Sequence, residues 1–196
     1  MKIFVSAAEA SSDAHLAEIV RSLKDKVPGI EIFGLAGPKL RALGVRPIAR
    51  SEDLLAMGFT EVLGKIPKIF SILKNLENAC RAENPDCIIV ADYPEFHFRL
   101  ARKLKALGIP SIYFIPPKVW AWRESRLEFL KEYFTSVLTI FPFENPIYEK
   151  AGIRSSFVGN PLLDELPLEL TQNDARMKLG IANAGSKVVV LMPGSR

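Results

Sequence analysis

The stretch CIIVADYPEFHFRLARKLKALGIPSIYFI, residues 87–115, decides the architecture. Cys87 to Ala91 is a short apolar, β-branched run, the composition of a strand covered on both faces. Asp92 follows at once. Residues 95–107 then read as a helix that ends at Gly108, and Ser111 to Ile115 resumes the sheet. A strand, a helix and a second strand of this kind make a βαβ unit with parallel strands and a right-handed crossover.

The same alternation runs outward in both directions. Lys2–Ser6 reads as the first strand, and residues 13–26 as a helix with Leu16, Ile19, Val20 and Leu23 on one face. Residues 30–36 are a second strand, followed by a short helix opened by Pro38 and closed by Gly44. Residues 45–49 are a third strand or an extended edge, and 61–82 a long helix. Residues 136–141 and 155–159 complete the series. The fold class predicted is α/β, a Rossmann-like parallel sheet. The composition changes over residues 161–167 to leucine, proline and acid, which puts a boundary near 160–170. Beyond it a helix leads to a strand expected at 187–192 and the small-residue loop Pro193-Gly194-Ser195-Arg196. That order resembles the opening of a second domain, so we divide the chain into 1–165 and 166–196.

With 48% apolar residues in 196, the chain has ample material for a core. A formal charge of +4 suits anionic ligands or an anionic surface. Nucleic-acid binding is not expected, because residues 116–126 hold the one cluster of interleaved aromatic and basic side chains. Cys80 and Cys87 match no metal or redox spacing and read as reduced packing thiols of a cytosolic protein. No apolar run approaches the roughly 20 residues that span a bilayer, so lipid contact is expected to be peripheral.

Ligands of open α/β sheets bind outside the carboxyl ends of the strands, which singles out the residues that follow them. Glu9, Ser11, Ser12 and Asp13 follow the first strand; they suit a sugar or phosphate, or simply cap the next helix. Asp92 at the end of its strand can act as a general base for a hydroxyl group, or cap the helix after it. His97 and Arg99 either bind an anion or face water. Trp120, in the proline-rich stretch after Ile115, offers a face for a sugar or for packing. Residues 54–76 carry Leu63, Ile66, Ile69, Phe70 and Leu73 among lysines, the mark of an interfacial amphipathic element or of a large core.

With those residues in view, the chain resembles the lipid-A-disaccharide synthases, inverting glycosyltransferases of the GT-B type, over the N-terminal half of a family member. The likeness rests on AEASSD (8–13), GLAGPKLRALG, LLAMGFTEVLGKIPKI, NPDCIIVADYPEFHFRLARKLK, VWAWR, FPFE, FVGNPLLDELP and LMPGSR, in that order. It implies an acceptor-side first domain and the start of a nucleotide-binding domain. The implied hexosyltransferase reaction joins UDP-2,3-diacylglucosamine to 2,3-diacylglucosamine 1-phosphate through a β-1,6 linkage and releases UDP. Asp92 matches the family's catalytic base, and Arg196 an arginine that offsets the charge of the departing diphosphate. Glu9, Ser11, Ser12, Asp13, Met57, Trp120 and Asn160 fall among the implied substrate contacts. Residues 54–76, with Leu63, Ile66, Ile69, Phe70 and Leu73, match its acyl-chain and membrane-surface element.

No metal or other cofactor is implied, since the UDP-sugar is a substrate. The implied location is cytoplasmic, on the inner face of the bacterial inner membrane, and a homodimer of the complete protein is left open. A half-length chain is expected to be inactive alone. Ala8 and Ser12 stand where the family has glycines, Glu95 for an aspartate, His97 for an asparagine and Asn160 for a histidine. A non-catalytic lipid-binding module and a transferase of another nucleotide sugar remain the alternatives.

Overall fold

The computed structural model describes residues 1–55, 62–120, 125–165, 169–181 and 187–192, with only the backbone described at Leu55, 62–66 and Glu165. Residues Met1–Pro161 form one compact unit and Leu162–Arg196 another. In the first unit the elements run β1 (Lys2–Ala7), α1 (Ala10–Lys26), β2 (Glu31–Ala36), α2 (Pro38–Ala42), β3 (Arg46–Arg50), α3 (Glu52–Leu55) and α4 (Val62–Glu83). They continue with β4 (Cys87–Ala91), α5 (Pro94–Leu104), β5 (Ser111–Phe114), α6 (Ser125–Tyr133), β6 (Ser136–Thr139), α7 (Asn145–Lys150) and β7 (Ser155–Phe157).

All seven strands are parallel, in the order β3-β2-β1-β4-β5-β6-β7. The sheet is buried on both faces, and β1 shows how. Ile3, Val5 and Ala7 pack with Leu16, Val20 and Leu40 under α1 and α2, while Phe4 packs with Leu73, Leu76 and Leu100 under α4 and α5. Side chains alternate across a strand, so one continuous apolar run serves both layers. The third strand, expected as strand or edge, is the edge strand β3.

The long helix α4 passes through Pro67 without ending. Its last three turns bury Ile72, Leu73, Leu76 and Cys80 in the core. Leu73, read from sequence with the lipid-facing residues, therefore belongs to the core: it lies on the same helical stripe as Leu76 and Cys80. Ile69 packs against that core, whereas Phe70 is 56% exposed. The side chains of Leu63 and Ile66 lie outside the described residues. Both cysteines are free thiols, Cys80 buried and Cys87 partly so. Burial pushes the Cys80 thiol up to about 12, which leaves it unreactive packing material.

The second unit holds α8 (Leu162–Glu165) and α9 (Gln172–Lys178), the latter capped by Thr171, whose hydroxyl accepts from the Asp174 N–H at 3.2 Å. Residues 187–192, expected as a strand, form none. Val189, Leu191 and Met192 are more than 85% exposed. A strand is stable only through ladder partners and a buried face, and among the described residues nothing pairs with this segment. No helix among them is long and apolar enough to cross a membrane.

Gly34 in β2 shows how tightly the sheet is built. Its φ is +145°, and a Cβ there would sit 1.9 Å from the Val5 carbonyl oxygen of the neighbouring strand. Gly34→Ala must push β1 and β2 apart, with an expected loss of about 3 kcal/mol or more in denaturant unfolding. An unchanged unfolding midpoint would show that this contact does not limit the sheet.

Candidate active site at the strand ends

The strand order reverses direction between β1 and β4, since β2 and β3 lie on one side and β5 to β7 on the other. Such a switch point opens a crevice where the two flanking crossovers diverge to opposite faces. Ala7 of β1 is in register with Ala91 of β4, so the chain leaves both strands side by side. Glu9 and Asp92 each lie just beyond that pair. Both residues are partly exposed. Among the described residues the Asp92 side chain makes no hydrogen bond.

The turn that carries Asp92 is strained. Asp92 and Tyr93 adopt φ of 51° and 44°, and Ile115, just past the end of the adjacent strand β5, adopts 55°. Left-handed backbone costs a non-glycine residue about 1 kcal/mol or more, and such strain gathers at functional sites. Asp92 is anchored by its backbone. Its N–H donates to the Phe114 carbonyl at 3.1 Å, and its own carbonyl accepts from the Tyr113 hydroxyl at 2.8 Å and from His97 Nδ1 at 2.6 Å.

His97 is fully buried, contrary to the expectation that it binds an anion or faces water. It lies on the same face of α5 as Leu100 and Leu104, a spacing visible in the sequence, and its Nε2 meets Ser6 Oγ at 2.9 Å. Arg99 is exposed. Glu95 pairs with Arg126 at 2.8 Å on the surface.

Asp13 does not cap its own helix. Buried at 1% exposure, its carboxylate crosses to α2 and accepts from the N–H groups of Gly37 and Lys39 at 2.8 Å and of Leu40 at 3.3 Å. These are free amide donors at a helix start, where negative charge is also favoured by the dipole. A Cβ on residue 37 would lie 2.4 Å from the Asp13 carboxyl carbon, which accounts for Gly37. Ser12 is buried too; its hydroxyl accepts from the Glu9 N–H at 3.0 Å and donates to the Glu9 carbonyl at 2.9 Å. Of the first loop's four candidates, Asp13 and Ser12 are buried in these contacts, Glu9 is the N-cap of α1 and partly exposed, and Ser11 is exposed.

Trp120 follows β5, the neighbour of β4. It is 47% exposed, donates from Nε1 to Glu144 Oε1 at 3.3 Å, and meets Phe143 edge to face at 5.3 Å. The Tyr148 hydroxyl fixes the same loop by donating to the Pro117 carbonyl at 2.9 Å. Sequence reasoning missed Glu144 and Tyr148; burial of a glutamate at 3% exposure leaves no composition signal. Asn160 follows β7, so β5 and β6 separate it from β4. Met57 and Arg196 lie outside the described residues. A cavity of about 230 Å³ between Leu104, Ser111 and Tyr133 lies at the opposite, amino-terminal ends of β4 and β5 and touches none of these candidates.

A family profile described as Lipid-A-disaccharide synthetase matches residues 3–196. The chain belongs to this family. A lipid-A-disaccharide synthase of Myxococcus xanthus is 40% identical over 195 residues, 100% of this chain and 51% of that protein. One from Nitrosococcus oceani is 39% identical over 194 residues, 99% of this chain and 50% of that protein. The chain thus spans about half the length of the curated relatives it matches.

Among solved structures, a UDP-GlcNAc 2-epimerase of Neisseria meningitidis bound to UDP-GlcNAc superposes with a TM-score of 0.62 at 16% identity, over 93% of this chain and 50% of that one. The glycotransferase of kitacinnamycin gives 0.54 at 16% identity, over 81% and 50%. These likenesses carry the fold, the Rossmann-like unit of the GT-B architecture expected from the sequence of this lipid-A-disaccharide synthetase family member.

Burial lowers the His97 imidazole from 6.5 to about 4, against the opposing effect of the nearby Asp92 and Ser6 backbone. The unfolded chain then binds the proton first as pH falls. Stability is expected to be complete above pH 6.5, to decline towards pH 4, and to lose about 3 kcal/mol in all from this group. Denaturant unfolding across that range, with His97→Asn showing a shallower slope than the wild type, checks the assignment.

Proposed function

We propose that this chain is the acceptor-side half of a lipid-A-disaccharide synthase, joining UDP-2,3-diacylglucosamine to 2,3-diacylglucosamine 1-phosphate. The observation that carries the reading is Asp92 at the switch point, beside the Glu9 loop, in a chain of this family. The Asp92 carboxylate accepts the proton of the acceptor 6-hydroxyl as that oxygen bonds to the anomeric carbon of the donor sugar. The bond from that carbon to the diphosphate breaks with inversion, and its electron pair leaves on UDP. Arg196 offsets the charge of the departing diphosphate, and Met57, Trp120 and Asn160 contribute to the substrate surface. Fixed cations and backbone dipoles supply the electrostatic stabilisation, so no cofactor takes part.

On this reading the protein works at the cytoplasmic face of the inner membrane. Phe70, exposed and flanked by Lys68 and Lys74, is the described side chain best placed to enter an interface. Phe70→Glu in the full-length protein is expected to reduce sedimentation with anionic vesicles while leaving the unfolding midpoint in place. Equal sedimentation would remove Phe70 from the membrane element.

Asp92→Asn in the full-length protein should fold normally and lose about 100-fold to 10,000-fold in turnover, the usual share of a general base. Unaltered turnover would rule out the base assignment. These 196 residues assayed by themselves should release little UDP. Lipid binding by the full-length protein with no UDP release would favour a non-catalytic module, and equal rates with unacylated donors would favour a different transferase.

A further inference from the structure

The two hydrogen bonds to the Asp92 carbonyl have a use beyond packing. A carbonyl oxygen has two lone pairs, and His97 and Tyr113 take both. The acceptor on one side of the His97 ring is a carbonyl, so Nδ1 must carry the proton, and Nε2 is then the acceptor for the Ser6 hydroxyl. In the neutral ring these two partners fix the tautomer. An apolar residue would fill this position on the Leu100 and Leu104 stripe without the cost of burying an imidazole. What the imidazole adds is a hold on the peptide that follows Asp92. That peptide lies between two left-handed residues, and rotating it would relieve the strain and re-aim the Asp92 side chain.

We propose that His97 is a positioning residue for Asp92: with Tyr113 it grips the Asp92 carbonyl and holds the strained turn from which the carboxylate projects. Ser6, through Nε2, orients the ring and ties the grip to β1, the other strand of the switch point. The proposal rests on the reading of Asp92 as the base. It does not make His97 a catalytic residue, because the ring is fully buried and meets no solvent.

The test uses the full-length protein and both acylated substrates. His97→Phe, which keeps the ring and removes the donor, is expected to lower kcat by roughly 100-fold with KM nearly unchanged, the cost of a misplaced reacting group. His97→Asn, whose amide N–H can reach the same carbonyl, should recover most of that loss. In an Asp92→Asn background, His97→Phe should cost nothing further, because there is no base left to aim. Tyr113→Phe should show the same pattern more weakly, and it decides the matter if His97→Phe fails to fold.

In the unmutated protein, ¹⁵N chemical shifts at pH 7 should show His97 protonated at Nδ1 and not at Nε2. A protonated Nε2, wild-type kcat in folded His97→Phe, or an equal loss in the Asp92→Asn background would each overturn the positioning role. Full activity of Asp92→Asn would instead overturn the base assignment and this proposal with it. An inactive Asp92→Asn beside a fully active His97→Phe would overturn the positioning role alone.

Discussion

The adjacency of β1 and β4 is the constraint on which the other features depend. Because strand order reverses there, α1 goes to one face of the sheet and α5 to the other, and the crevice between their starts is left uncovered. Glu9 and Asp92, both partly exposed, follow strands whose last residues are paired in register. The Ser6 to His97 bond crosses from β1 to α5 beneath the opening, so the floor of the crevice is tied to the turn that carries Asp92.

The polar groups under this turn answer one another. A buried hydroxyl and a buried imidazole are unfavourable unless bonded, and here each finds a partner. Burial, with the nearby Asp92 and Glu95 carboxylates, raises the pKa of Tyr113 well above its ordinary value, which keeps its hydroxyl a donor. Among the described residues no buried side-chain polar atom lacks a hydrogen bond. The strain of two left-handed residues is thus balanced by satisfied donors, a condition under which a turn keeps one shape rather than several.

Local pattern made much of the fold legible. The Cys87–Ala91 strand has the ends that its sequence predicts, and most other predicted boundaries differ from the structure by a few residues, because apolar runs and the glycine after a helix act over short range. What pattern could not reveal were contacts between residues far apart in the chain. Asp13 looks like the cap of the helix it begins, yet it caps α2, 24 residues and more downstream. His97 looks polar beside Glu95 and Arg99, yet its spacing to Leu100 and Leu104 placed it on the buried stripe. The Leu63 to Leu73 segment mixed two roles, and only packing separated Leu73 in the core from exposed Phe70. Residues 187–192 have the composition of a strand, but composition does not supply a neighbour to pair with. Asp92 was legible as a residue at the end of a buried strand, because the apolar run before it marks where the sheet stops, but pattern alone left a general base and a helix cap as equal readings.

The central claim is that Asp92 meets the hydroxyl that reacts. It is tested most directly by a structure of the full-length protein with the acylated acceptor bound. The account predicts an Asp92 carboxylate oxygen about 2.6–3.2 Å from the acceptor 6-hydroxyl, with the His97 and Tyr113 bonds to its carbonyl intact. An acceptor hydroxyl held by a different base, with Asp92 out of hydrogen-bond reach, would contradict it.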